Sequence, residues 1–265
     1  MAKQTAKRGT RRTVWGRQSW WIILLTSVIL FGGVGTAQAA DVRGGNDVFR
    51  LGPDEVVNDD LYVTAREVYI DGTVNGDLIV AGGYVEVNGV VTGNAMIMAG
   101  GINLNGVVQA SARMAGGGVV ITGKIGHDLM VAGGGSTFSG VPGFPFRIGQ
   151  RTIQQGVQLT SNASVGNDAY IVGGQGDLAG TVKRNLFSSM GSVTFGGKVD
   201  GSAQLYGQSV TVRSTSKVGG VLRYSSTSAV VLPPSVAKTV QEAKPTINEA
   251  TPVQPNFGWT LLTWL

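Results

Sequence analysis

Asp60, Asp77, Asn94, Ser111 and Asp128 stand at a constant interval of 17 residues, and Asp168, Asn185 and Ser202 repeat that interval further along the chain. Carboxylates brought to one edge in this way suggest two chemistries. One is a ladder of calcium sites. The other is a pair of acids such as Asp60 and Asp77, which adjacent structural units would set about 5 Å apart, the separation of a retaining glycosidase pair. Neither reading gathers support. The nine-residue Gly-Gly-x-Gly-x-Asp calcium repeat is absent, and no basic cluster accompanies the two acids. The plainer expectation is that these Asp, Asn and Ser side chains accept hydrogen bonds from the amides of turns. His127 is the only histidine and there is no cysteine, which argues against a zinc site. A Ser-His-Asp triad through His127 lacks a nucleophile elbow, so a turn position is the better reading. Gly116-Gly117-Gly118 and Gly133-Gly134-Gly135 are followed by neither a helix nor Lys-Ser/Thr, and are read as corners rather than phosphate loops. Threonines fall into no paired column of the kind an ice-binding surface needs. No catalytic, cofactor-binding or metal-ligating residue is therefore expected, and the chain is read as non-enzymatic.

The elements that carry these residues repeat as well. Segments beginning at Gly72, Gly89, Gly106 and Gly123 align without a gap, each 17 residues long, and the same frame runs back to Glu55. It resumes at Ala163, Gly180 and Gly197 and, after two further residues, at Ser216. Five columns of the alignment are apolar. Column three is β-branched throughout, from Val57, Val74 and Val91 to Ile125 and Val218, as strands prefer. Columns seven and nine, and fourteen and sixteen, are two residues apart, which places their side chains on one face of a strand. Of these 45 inward positions only Ser136, Gly176 and Ser188 are not apolar. Gly, Asn and Asp near columns five and six, with Ala-Gly-Gly near columns ten to thirteen, are expected at corners, where small residues tolerate positive φ. The prediction is an all-β fold: a single-stranded β-helix, or β-solenoid, with three faces and about nine coils over residues 55–232. At a coil spacing of about 4.8 Å its length is on the order of 43 Å.

Residues 140–162 interrupt the frame and are expected to leave the rod as a lateral loop, with Val157 and Leu159 available to rejoin it as a degenerate coil. Residues 41–54 are read as an N-terminal cap. Residues 233–256 are a Pro-, Thr- and Ala-containing tether, and 257–265, FGWTLLTWL, an apolar tail that resembles an interfacial segment or the start of a transmembrane helix. At the other end six basic residues precede an apolar run from Trp20 to Phe31 and then Ala37-Gln38-Ala39. That order predicts a signal peptide or signal anchor over residues 1–40, with the rod on the extracytoplasmic side. The same six residues explain the pI near 9.6. From Asp41 onward there are 15 basic and 16 acidic residues, so bulk charge gives no argument for nucleic acid as a partner. The charge is uneven, however. Residues 41–86 hold ten acids and three bases, and residues 113–223 hold ten bases and four acids, an asymmetry suited to head-to-tail contact.

The serial pattern G-x-V-x-G-D/N-L/A, seen in Gly72-Thr73-Val74-Asn75-Gly76-Asp77-Leu78 and in Gly89-Val90-Val91-Thr92-Gly93-Asn94-Ala95, resembles that of bactofilins, the polymer-forming cytoskeletal proteins. The resemblance spans about 180 residues. It implies a short right-handed β-helix flanked by tails that polymerises end to end without nucleotide, often on membranes. The export signal departs from that cytoplasmic family. The expected function is a structural scaffold of the bacterial envelope, with self-association and the membrane, and envelope or cell-wall components, as partners. The alternatives are an exported adhesion module using the 140–162 loop with Phe144 and Phe146, and, third, a polysaccharide-active β-helix enzyme dependent on Asp60 or Asp77. The column assignment itself is testable. Val91→Asp would place an unpaired charge in the predicted core at a cost of several kcal/mol, and the expected outcome is a chain that does not fold, read by circular dichroism and thermal melting.

Overall fold

The computed structural model describes residues 41–45, 47–134 and 146–243. The expected signal segment, Ser136, Phe138 and Phe144, and the chain beyond Ala243 lie outside the described residues. Within them the protein is a β-solenoid of about 11 turns in which successive coils pair in parallel. The 17-residue register holds from the first coil to Gly133 and again from Ser164 to Val212. Leu61 pairs with Leu78, Leu78 with Ala95, and Ala95 with Ala112, while on the next face Ile70 meets Val87 and Val87 meets Leu104.

A regular coil contributes a two-residue strand, such as Thr73–Val74, and a ten-residue strand, such as Leu78–Val87. The first face is therefore the short strand of columns two and three. The second and third faces belong to one strand that bends at the small residues of columns ten to thirteen, where the ladder skips only column twelve. Columns three, seven and nine are buried in every coil, from Val57, Leu61 and Val63 to Val218, Leu222 and Tyr224. With columns fourteen and sixteen they form one continuous core.

Backbone geometry corrects the reason for the glycines. Among the described residues only Gly149 and Gly156 have positive φ, so the repeat corners do not need left-handed backbone. What they need is absence of a side chain. A Cβ at Gly89, Gly106 or Gly123 would run into the backbone carbonyl of the preceding coil's column-one glycine. Glycine there permits close stacking of backbone on backbone.

The inward positions that break the apolar rule are resolved individually. Val157 takes the place expected for Ser136, pairing with Val119 on one side and Gly176 on the other, and Leu159 lies between Ile121 and Leu178. Residues 156–159 thus complete the fifth coil, whose second face is Leu129–Gly133. The lateral excursion lies before Gly156 rather than running to residue 162. The space left by Gly176 is filled from the next coil, since a Cβ there would meet the sulfur and methyl of buried Met190. In the last coil the frame slips. Val230 and Leu232 pack on the core while Ala229 and Val231 are exposed, because this coil replaces Ala-Gly-Gly with a longer corner in which Thr227 and Ser228 hydrogen-bond to the carbonyl of Gln208. A one-residue change of phase turns every side chain to the other side.

The stack also extends further than residues 55–232. Asp41–Gly44 and Val48–Leu51 pair with Leu61–Thr64 and Glu67–Ile70, making a full rung ahead of the first coil. At the other end Ala237–Glu242 pairs with the strand Lys217–Ser225, so the expected tether cannot begin at residue 233. Pro233 and Pro234 turn the chain, and Val236 returns to the core.

Ser188 remains polar in column nine, fully buried, with its hydroxyl unpartnered. Removing an unsatisfied buried hydroxyl is worth about 1 kcal/mol or more. Ser188→Ala is expected to raise stability by that order in denaturant titrations, with an unchanged m-value.

Candidate functional site

The column-six side chains form a chain of hydrogen bonds along one edge. The amide of Asp77 donates to Asp60 Oδ1 at 2.7 Å, that of Asn94 to Asp77 Oδ1 at 2.7 Å, and that of Ser111 to Asn94 Oδ1 at 3.3 Å. The sequence continues through Asp128, Asp168 and Asn185, and ends with the Val221 amide on Ser202 Oγ. Each side chain thus accepts from the backbone of the following coil, as the turn reading expects. Asp168 is the most heavily used, holding a bidentate pair with Arg184 at 2.6 and 2.8 Å besides two bonds from Asn185. The Arg184 guanidinium is the main cause holding the Asp168 carboxyl below its usual range. His127 is an exposed corner residue whose amide donates to Ala110. Among the described residues no group of three His, Cys, Asp or Glu side chains stands together as metal ligands.

The lateral segment does not simply project. Phe146–Ile148 and Arg151–Ile153 form an antiparallel hairpin, and Ile148 and Ile153 pack on Tyr69 and Tyr84 of the third face. Arg151 lies over the Tyr84 ring, 4.4 Å from its centroid, and its guanidinium donates to the hydroxyls of Tyr69 and Tyr84. Tyr84 in turn donates to Glu86 at 2.9 Å, and burial, followed by this carboxylate, raises its phenol above the ordinary range. The cleft between hairpin and rod, lined by Asn103, Arg151 and Gln154 among others, has a volume near 230 Å³, below the roughly 300 Å³ at which small-molecule sites begin. Phe146, one of two aromatics expected to make an adhesion contact, begins the hairpin's first strand. Nothing in the repeat frame foretold this docking, because Tyr69, Tyr84 and Glu86 sit in columns that vary between coils.

The ends of the stack are the remaining candidates. Amides in columns seven and nine point along the rod toward the following coil, as in Leu61 to the Asp77 carbonyl and Leu78 to that of Asn94. At the C-terminal end the equivalent positions are Val240 and Glu242, on a strand whose side chains are mostly exposed. At the N-terminal end the rung places Asp41 in column seven and Arg43 in column nine, positions that in the nine coils between the end strands are apolar except for Ser188. The two form a multidentate ion pair, with Arg43 Nη2 at 2.6 Å from Asp41 Oδ2. The second face thus ends in a charge pair, while the third ends in Phe49 and buried Leu51.

Comparison with protein-family models, with curated proteins and with solved structures returns no match.

The ladder makes a pH prediction. Asp168's folded pKa lies below its unfolded value near 3.9, so its contribution is present above about pH 4 and disappears as pH falls through the folded value. Asp168→Asn keeps an acceptor for the Asn185 amide but removes the ion pair. Melting curves should show the variant less stable at pH 7 and the two proteins converging at low pH.

Proposed function

We propose that this chain is a bactofilin-like, non-enzymatic scaffold that is exported, held at a bacterial membrane, and assembled end to end into filaments. The observation that carries the proposal is the condition of the two ends. Parallel strand pairing persists into the first rung and into the strand Ala237–Glu242, although neither keeps the 17-residue interval. Among the described residues no helix covers either edge. A row of forward-pointing amides therefore stands at one end, with a row of strand groups facing backward at the other, the arrangement that templates a further strand.

Charge supports the same polarity. Near the N-terminal end Arg43, Arg50 and Arg66 are each engaged by acids of that region, Asp41, Asp71 and Asp47, and the excess of acid there remains. Lys217, Arg223 and Lys238 stand in the last two strands. Such contacts favour head-to-tail association and weaken with salt. The capping pair Asp41–Arg43 implies that the joint relies on backbone edges and complementary charge on its second face and on apolar burial at its third. Docking of the hairpin on Tyr69 and Tyr84 leaves less of the lateral segment free for the adhesion alternative. The polysaccharide-active alternative fares no better, because Asp60 and Asp77 each hold a backbone amide of the following coil.

Negative-stain microscopy of residues 41–256 without nucleotide tests the proposal, since the whole core falls within Leu51–Val236. Filaments are expected, shortening as salt is raised. Val240→Pro removes one forward-pointing donor at the free edge without breaking a bond to the coil behind. It should retain the wild-type melting curve and lose filaments. Monodisperse rods at every salt and protein concentration would exclude end-to-end assembly.

A further inference from the structure

The second face carries an apolar strip that the scaffold reading leaves unused. In columns eight and ten, whose side chains point outward, coils three to seven present Met96, Met98, Met130, Tyr170, Val172 and Phe187. Met98 is 56% exposed and Met130 54%. The rings of Tyr170 and Phe187 lie 6.4 Å apart, and Phe187 continues to Tyr206 at 5.7 Å. The strip extends toward the N-terminal rung, where Val42 pairs beside Tyr62 and is 76% exposed. No acidic residue occupies columns eight or ten from Tyr62 to Ser225, and the charged residues there are Arg113 and Arg223. Carboxylates do border it, in column six, but their oxygens are engaged by amides of the next coil and, at Asp168, by Arg184.

From this geometry we infer that the second face is a lipid-docking surface, and that the rod lies lengthwise on a phospholipid bilayer with its Met and aromatic strip at the headgroup boundary. Two observations select the bilayer over a second copy of the chain. First, the strip is about 35 Å long at 4.8 Å per coil and about 10 Å wide, roughly 350 Å². A stable dimer buries about 800 Å² on each partner, so two strips stacked face to face fall short. Second, both chain connections belong to this face. Asp41 enters in column seven, and Ala243, which donates to the Tyr224 carbonyl, leaves just past column nine. The sequence beyond each carries an apolar run, Trp20 to Phe31 on one side and Phe257 to Leu265 on the other, reachable within roughly 30 to 50 Å of extended chain. A surface tethered at both ends needs little intrinsic affinity, because the tethers raise its effective concentration at the lipid. Methionine and tyrosine suit such a boundary, the one deformable and apolar, the other apolar with a polar tip. Arg113 reaches outward from the middle of the strip, toward where lipid phosphates would lie.

The inference rests on the reading that the chain is held at a membrane, which co-flotation of the labelled chain with the vesicles reports independently of quenching. Because the chain contains no cysteine, Met98→Cys, Met130→Cys and Thr211→Cys each create a single site for an environment-sensitive fluorophore. Thr211 is exposed on the third face. The labelled full-length chain is reconstituted with vesicles of phosphatidylglycerol and phosphatidylethanolamine, with and without a lipid-phase quencher. Quenching several-fold greater at positions 98 and 130 than at 211 is expected, at protein concentrations where no filament forms as well as where they do. Absence of quenching at 98 and 130, or equal quenching at all three, overturns the inference. So does a blue shift at 98 and 130 that grows with protein concentration in the absence of vesicles, which would identify a second copy as the occupant. Electron microscopy of the same samples reports assembly separately, so filaments with unquenched labels sink the lipid surface alone, and quenched labels without filaments sink end-to-end assembly alone.

Discussion

Close approach of one backbone coil to the next governs this molecule. Parallel strands pair at about 4.8 Å, and that spacing must be met at every corner as well as along every face, or the ladder opens. The column-one glycines meet it by removing the Cβ that would strike the preceding carbonyl. Once backbones are that close, the side chains in columns three, seven, nine, fourteen and sixteen stack on their equivalents in adjacent coils, and a core only a few side chains across becomes continuous from Leu51 to Val236. The column-six chain has the same dependence. Its acceptors reach the next coil's amides because the corners are packed tightly.

This arrangement also sets where chemistry can occur. The polar side chains of a corner are consumed in holding the neighbouring coil, as the bonds from Asp77 and Asn94 to the coils before them illustrate. Groups left available lie on the outward columns and at the two ends. Outward columns make flat arrays rather than pockets, and such surfaces suit extended partners such as a bilayer or another rod.

Much of this was legible because each coil solves the same problem with the same residues. Val57, Val74, Val91 and Val108 report one buried position four times over, and the repeated evidence identified the core and the bonding role of the polar column. Where a coil departs from its neighbours that redundancy is gone. Val157 and Leu159 replace residues at 136 and 138 only after an excursion, and a gapless alignment assigns the wrong pair. Val230 and Leu232 displace Ala229 and Val231 because the corner before them grew. Residues 41–51 lack most of the apolar columns, Asp41 and Arg43 standing where hydrophobic residues are expected, so the first rung read as a cap. The docking of Arg151 on Tyr69 and Tyr84 joins positions more than sixty residues apart in columns with no shared chemistry. Outward columns eight and ten carried a signal that a search confined to inward positions passes over.

The fifth coil, interrupted between Gly133 and Gly156 and then completed in register, has a consequence for how such a chain can change length. Additional sequence meets this architecture in two distinct ways. A segment equal to one circuit enters the stack and lengthens the rod by a fixed increment, so axial length is quantised by the strand spacing. A segment of any other size must be expelled sideways at a corner, where it leaves axial length untouched and is free to acquire contacts of its own. The rod thus behaves as a ruler whose graduations are whole circuits, and its flank as the place where new sequence can be tried without changing the measure.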